Sequence, residues 1–155
     1  MLALPGAREQ LKPEALWEHD QGLQLTFAQF EKASQARTAF LHALLRQFEV
    51  VDVIALPAAR VWPFPVAQRW PASIAGRNMD TYHRWMECTI YATLAGAPSI
   101  SVPSGFDASG RWPMGLQLIA RPRADAQLLR WAAAYETLIG DWLARRPPAL
   151  SNAAQ

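Results

Sequence analysis

The chain has 155 residues, of which 51% are hydrophobic, and 15 lysines and arginines against 13 aspartates and glutamates give a formal net charge of +2. This length predicts one region spanning residues 1–155, and the small charge excess argues against nucleic-acid binding. One cysteine and three scattered histidines exclude an internal disulfide and a structural zinc site, so no metal is expected. There is no run of about 20 apolar residues and no secretory pattern, which predicts a cytoplasmic protein without membrane contact.

The N-terminal part of the sequence predicts a poorly ordered start followed by a long helix. Residues 1–14 have little periodic apolar content, and we expect poor order there and again in residues 147–155. Thr26 and Gln29 form a capping-box pattern at the start of the helix. Apolar residues then recur at helical spacing over residues 27–48 and form one stripe, which requires a partner surface.

A strand and an aromatic loop are predicted next. The nearly continuous apolar run of residues 50–56, stopped by Pro57, is typical of a parallel strand covered on both faces. The following loop, residues 57–71, is rich in proline and contains Trp62, Phe64 and Trp70. Side chains of this size are costly to leave in water, so we expect them to pack in an ordered loop.

The rest of the chain alternates between helices and strands. Asp80 is a candidate N-cap for a helix over residues 81–94, and Gly96 is the residue expected just beyond its end. Strands over residues 99–102 and 114–119, joined by a turn, predict an antiparallel hairpin-like unit. A last helix begins at Asp125 and extends to about residue 142. The alternation predicts an α/β fold with a partial mixed sheet covered by helices.

Four stretches of the chain carry a family resemblance. In chain order they are QFEKASQARTAFLHALLRQF followed by VVDVIALP, TLAGAPSISVP, GFDASGRWPMGLQLI and ADAQLLRWAAAYE. Together they resemble the C-terminal part of the amidase signature family, and the expected fold is the corresponding part of that family's fold.

The resemblance implies hydrolysis of carboxamides by a serine nucleophile that a lysine activates through a second serine, without a cofactor. No Gly-Ser-Ser-Gly segment is present in the chain, and its only lysines are Lys12 and Lys32. We therefore assign no catalytic residue here. The expected protein is inactive alone and binds an amide substrate only together with a missing N-terminal portion.

The same resemblance places part of the substrate pocket in this chain. The candidate substrate-binding residues are all aromatic and are Trp62, Phe64, Trp70, Tyr82 and Trp85. The alternative role of these side chains is ordinary packing. Family branches that use glutamine for tRNA-dependent amidation carry an acidic residue where Met86 stands here, with Glu87 one place away. This difference favours an apolar or aromatic amide as the substrate.

Several other polar or small residues are interpreted as structural. His83 and Glu87 are four apart and are interpreted as a helix-surface pair, and Cys88 as a small buried residue rather than a reactive thiol. Ser99, Ser101 and Ser104 have no lysine or histidine near them in sequence. Gly105, Gly110 and Gly115 are predicted at positions where a tight turn or a close backbone approach excludes a Cβ, and Gln117 requires hydrogen-bond partners if it is buried. All four are assigned to the fold, with lining of a ligand pocket as the alternative.

Three hypotheses about function follow. The first is the C-terminal part of an amidase-type hydrolase. The second is a non-catalytic interaction or scaffold domain derived from an amidase, which pairs with another chain or with a second copy of itself. The third is an amidase whose nucleophile has moved to Ser99, Ser101 or Ser104.

Overall fold

The computed structural model describes residues 6–145, which divide into two compact units, one ending at Phe40 and the other beginning at Leu41. The first unit contains helix α1 (Pro13–Leu23) and most of helix α2 (Phe27–Gln47). The other elements are β1 (Ile54–Pro57), β2 (Ser73–Ile74), β3 (Arg77–Asn78), α3 (Tyr82–Trp85), a 3₁₀ turn (Glu87–Thr89), α4 (Ile90–Ala95), β4 (Ser99–Phe106), β5 (Pro113–Ile119), α5 (Asp125–Leu138) and α6 (Gly140–Ala144). The poor order expected for residues 1–5 and 147–155 falls outside the described residues.

Helix α1 is an element that the sequence pattern did not predict. It begins with Pro13 in its first turn, where the missing proline N–H is not needed, and Glu14 follows in the same turn. Arg8 pairs with Asp20 of the helix at 2.8 Å. None of the described helices is long and apolar enough to cross a bilayer.

Helix α2 begins with the predicted capping box, which is confirmed. The backbone N–H of Gln29 donates to Thr26 Oγ1 at 3.3 Å, and the backbone N–H of Thr26 donates to Gln29 Oε1 at 2.8 Å. Phe27 and Phe30 of the apolar stripe are 80% and 58% exposed. The need of this stripe for a partner surface remains a prediction.

Strand β5 is the centre of a three-stranded sheet with the order β1–β5–β4. Both neighbours run antiparallel to it, with Ile119 opposite Ile54 on one side and Ser99 on the other. The interpretation of residues 50–56 as a parallel strand is therefore wrong, and the described sheet is antiparallel where a mixed sheet was expected. Strand β1 alternates between half-buried and exposed residues because it is an edge strand with one packed face. A short apolar run does not distinguish these two kinds of strand.

Helices cover both faces of this sheet, which confirms the α/β class. On one face, Leu118 packs in a core cluster with Leu128 of α5. On the other face, Ile119 packs with Ala92 of α4 and with Phe48, which follows α2. Successive side chains of a strand point to opposite faces, so neighbouring residues of β5 pack against different helices.

The predicted antiparallel hairpin of β4 and β5 is confirmed, and its loop is organised by one carboxylate. Asp107 accepts hydrogen bonds from the backbone N–H groups of Ser109, Arg111 and Trp112 at 3.2, 2.8 and 2.7 Å. It also accepts from the Ser109 hydroxyl. The predicted tight-turn role of Gly110 is met by its φ of +68°, a backbone conformation that other residues rarely adopt.

We expect the stability that Asp107 contributes to be lost in acid. Hydrogen bonds from the Ser109 hydroxyl and from loop N–H groups lower the pKa of Asp107 from 3.8 to about 2. A lowered pKa means that the contribution is complete above the unfolded-state pKa and disappears as the pH falls through about 2. Asp107→Asn should therefore lower the Tm at pH 6 and much less at pH 2. Thermal unfolding monitored by circular dichroism measures this.

Asp52→Asn, which removes an exposed carboxylate before β1, is the matched control. It should leave the Tm near the parent value at pH 6. Equal Tm losses for Asp107→Asn at both pH values would contradict the assigned role of the carboxylate.

The helix predicted over residues 81–94 is interrupted. Helix α3 ends at Trp85, and α4 begins only at Ile90. The N-cap is Thr81 rather than Asp80: Thr81 Oγ1 accepts from the backbone N–H of Arg84 at 3.3 Å, while Asp80 pairs with the Arg84 side chain. Gly96 ends α4 with a φ of +62°, as predicted. The last predicted helix is likewise divided, into α5 and α6.

Candidate functional site

Four of the five predicted aromatic residues form one continuous cluster. Phe64 meets Trp85 edge-on with ring centroids 5.7 Å apart, and Trp85 meets Tyr82 at 6.1 Å. Tyr82 in turn meets Trp70 at 6.0 Å. All three contacts have the edge-to-face geometry that aromatic quadrupoles favour. We call Phe64, Trp70, Tyr82 and Trp85 the aromatic cluster.

The fifth residue, Trp62, lines a cavity beside this cluster. The cavity has a volume of about 230 Å³, and its lining is apolar: Ala59, Val61, Trp62, Pro63, Phe64, Trp85, Pro113, Met114 and Gly115. An apolar cavity of about 150 Å³ is large enough to take benzene. The cavity can therefore hold a ring or a branched aliphatic group. Trp62, at 45% exposed, keeps contact with solvent.

The floor of the cavity depends on a glycine in the central strand. A Cβ at Gly115 would lie 2.9 Å from both Ala58 Cβ and Ser101 Oγ. This confirms the prediction that a close approach excludes a side chain there. The backbone N–H of Ala58 donates to Gly115 O at 2.8 Å, so the loop that carries Trp62 begins in direct contact with β5.

Two buried polar atoms next to the site have no hydrogen-bond partner among the described residues. They are Trp85 Nε1 and Gln117 Oε1. Gln117 is only 6% exposed, and its Nε2 donates to Cys88 O at 3.4 Å. The prediction that a buried Gln117 requires partners is thus met for its amide nitrogen only.

Two ion pairs connect the loop after β1 and strand β3 to the 3₁₀ turn after Trp85. Glu87 Oε2 accepts from Arg60 at 2.9 Å and from Arg77 at 3.1 Å. Arg60 also donates to the backbone carbonyl of Arg84 at 2.9 Å. The prediction that His83 and Glu87 lie on one continuous helix is wrong, because α3 ends at Trp85, and Glu87 binds two arginines.

The other candidates show no assembled nucleophile. Ser99 and Ser101 are two apart on β4 and share a face, with Ser101 opposite Gln117 in the register. Burial raises the pKa of the Cys88 thiol, which disfavours the reactive thiolate. Lys12 and Lys32 belong to the first unit. No group of three or more histidine, cysteine, aspartate or glutamate side chains within residues 6–145 is placed to hold a metal ion.

Sequence reasoning missed several residues of the site. Met114 lines the cavity from β5, and Arg60 and Arg77 bind Glu87. Gly115 also lines the cavity, which was the alternative to its assigned role in the fold, and a glycine within a strand is a known sign of close backbone approach. The roles of the arginines depend on contacts across 27 and 10 positions and have no local signal.

The chain matches one family profile and is similar to several known proteins. The profile of the family described as Amidase matches residues 7–129. The chain is 38% identical over 120 residues to a component of the glutamyl-tRNA(Gln) amidotransferase of Chloroflexus aggregans, covering 77% of this chain and 23% of that protein. It is 39% identical over 125 residues to a fatty acid amide hydrolase of Medicago truncatula, covering 79% and 20%.

A solved structure supports the same likeness. A bacterial aryl acylamidase of the amidase signature enzymes superposes with a TM-score of 0.75 and 25% identity, covering 93% of this chain and 31% of that one. The expected fold resemblance is therefore confirmed. The chain spans about a quarter of the length of the curated relatives it matches.

Proposed function

The chain belongs to the amidase signature family, and on that premise we propose that it is the C-terminal part of a hydrolase of carboxamides with an apolar or aromatic substituent. In this proposal it supplies a helix-covered sheet and one wall of the substrate pocket. The observation that carries the proposal is the apolar cavity lined by Trp62, Phe64 and Trp85. A cavity with this lining favours a ring or aliphatic group over a charged one.

The catalytic serines and lysine are proposed to lie in a preceding part of the enzyme. Two observations support this. The chain corresponds to 23% of the Chloroflexus amidotransferase component and 20% of the fatty acid amide hydrolase. In addition, the chain contains no Gly-Ser-Ser-Gly segment that could supply the serines.

An aromatic or apolar amide is preferred here over glutamine as the substrate. Recognition of glutamine's ammonium group requires a carboxylate that is available to it. The carboxylate of Glu87 is already engaged by Arg60 and Arg77, and the neighbouring side chain is Met86. The likeness to an aryl acylamidase agrees with this preference.

The decisive test compares the activity of this chain alone with that of its mixture with the polypeptide encoded immediately upstream in its natural gene. We expect no hydrolysis of an acyl anilide by the chain alone, hydrolysis by the mixture, and little release of ammonia from glutamine. In the mixture, Trp62→Ala should lower kcat/KM for the anilide by roughly 10-fold or more, the size of effect typical of apolar pocket contacts.

Trp112→Ala is the matched control, because Trp112 is a comparably exposed tryptophan in the hairpin loop. It should leave kcat/KM unchanged. Equal losses for the two variants would contradict the pocket assignment. Anilide hydrolysis by the chain alone that disappears on changing Ser99, Ser101 or Ser104 would instead establish a relocated nucleophile.

A second candidate function is a non-catalytic domain that pairs with another chain or with its own copy. The exposed Phe27 and Phe30 of α2 favour it, since large exposed apolar side chains on one helix mark association surfaces. Light scattering on the purified chain tests association. A monomer at high concentration would argue against both this candidate and a missing covering partner.

A further inference from the structure

The segment that carries the aromatic residues has little regular structure of its own. Residues 58–72 contain no helix or strand, and they include Trp62, Phe64 and Trp70. A loop of this kind loses conformational entropy when it is ordered, and contacts with other segments must offset that loss.

One carboxylate oxygen binds an arginine at the start of this segment and another in the strand β3 that follows it. Arg60 precedes the aromatic residues of the loop, and Arg77 lies in β3 after them. Both guanidinium groups donate to Glu87 Oε2, at 2.9 and 3.1 Å. Glu87 lies two residues after Trp85, at the start of the 3₁₀ turn. The carboxylate therefore joins the start of the loop, and strand β3 that follows the loop, to the segment that carries Trp85.

Further bonds hold the turn that presents this carboxylate. Arg60 also donates to the backbone carbonyl of Arg84 at 2.9 Å. From the sheet, Gln117 Nε2 donates to Cys88 O at 3.4 Å. The Glu87 and Arg60 side chains are 35% and 23% exposed, so water screens their charges less than it screens a surface pair.

We infer that Glu87 is a positioning residue: by binding Arg60 and Arg77 it holds the loop of residues 58–72 against Trp85 and so sets the shape of the cavity. The positioning role of Glu87 does not depend on the proposed function. Only its expected effect on catalysis rests on that function. An isolated exposed ion pair contributes little to stability. The role of Glu87 follows from the convergence of two pairs on one oxygen, across 27 and 10 positions of sequence.

The first test examines ring environments in the chain alone and does not depend on activity. The chain has seven tryptophans, so labelling with 5-fluorotryptophan should give seven assignable ¹⁹F resonances. Glu87→Gln keeps the shape of the side chain and removes its charge. We expect the resonances of Trp62, Trp70 and Trp85 to shift or broaden, while that of Trp131, which packs against the core on α5, keeps its position.

The matched control is Asp80→Asn, which removes the nearby ion pair between Asp80 and Arg84, two residues that are four positions apart. It should leave Trp62 and Trp70 unchanged. If Glu87→Gln fails to fold, Arg77→Gln decides, because Arg77 is 51% exposed and its replacement removes one of the two pairs. Unchanged Trp62 and Trp70 signals in the folded variant, or equal changes at Trp131, would overturn the positioning role.

The second test measures kinetics in the mixture with the preceding segment. If the cavity contacts the substrate equally in the ground state and in the transition state, a change in its shape raises KM and leaves kcat nearly unchanged. We expect Glu87→Gln to raise KM for the anilide about tenfold. If the ¹⁹F signals move and KM does not, Glu87 still positions the rings, but the assignment of the cavity as the substrate pocket under the proposed function fails.

Discussion

Ile119→Ala is expected to lower the free energy of unfolding by about 2–5 kcal/mol. Ile119 is 1% exposed on the central strand β5, and it packs with Phe48 and Ala92 in the cluster between the sheet and its α4 layer. Truncation removes the buried branched chain and leaves a cavity that the surrounding side chains fill only in part. Urea unfolding monitored by circular dichroism measures the loss.

Two further variants make this result specific. Ile119→Val removes one methylene and should cost about 0.5–1.5 kcal/mol. Leu129→Ala, at a position that is 60% exposed on α5, should change the stability by no more than about 0.5 kcal/mol. If Ile119→Ala cost no more than Leu129→Ala, this face of β5 would not be covered as described.

Gly115→Ala is expected to destabilise the protein by about 1–3 kcal/mol, although it adds only a methyl group. That methyl would lie 2.9 Å from Ala58 Cβ. Ser101 Oγ, also at 2.9 Å, can rotate away, but Ala58 Cβ is attached directly to the backbone. The hydrogen bond from Ala58 N to Gly115 O must then lengthen, or the strands must separate. Thermal and urea unfolding measure the cost.

A compensating change tests the cause. Ala58→Gly removes the opposing Cβ, so the double variant Ala58→Gly/Gly115→Ala should recover about 0.5–3 kcal/mol relative to the sum of the single variants. Gly140→Ala is the matched control, because a Cβ there would meet nothing within 4 Å. Additive losses in the double variant would show that steric contact with Ala58 is not the reason.

The elements best predicted from the sequence are those that local chemistry specifies. The hairpin of β4 and β5 follows from alternating apolar residues around a loop with Asp107 and Gly110, and both residues make the turn that was expected. The capping box of Thr26 and Gln29 likewise needs only three residues of separation. Such signals are readable because the interacting groups are neighbours in the chain.

Two elements were misread for different reasons. Helix α1 was missed although Pro13 and Glu14 in its first turn are start signals, because Lys12 at its N-cap is not a capping residue. Strand β1 was assigned to a parallel sheet because a short apolar run carries no information about its partner. Its pairing with β5 joins residues 59 to 65 positions apart, the largest separation being that of Ile54 and Ile119.

The aromatic residues of the site were named from the family resemblance, but their arrangement required the structure. Tyr82 and Trp85 are only three positions apart, and their rings meet at 6.1 Å. The sequence could not show that Phe64 packs on Trp85 or that Met114 and Gly115 of β5 complete the cavity. These contacts join segments that only the folded sheet brings together.

The sequence by itself determined the family, the hairpin and the caps, since each depends on residues close together in the chain. The tertiary structure alone decided where the helix before Gly96 breaks. In a continuous helix the carbonyls of Arg84 and Cys88 would accept backbone N–H groups four residues later, but here they accept from Arg60 and Gln117. Those donors lie 24 and 29 positions away. The interruption is therefore accompanied by hydrogen bonds from distant side chains that no local pattern reveals.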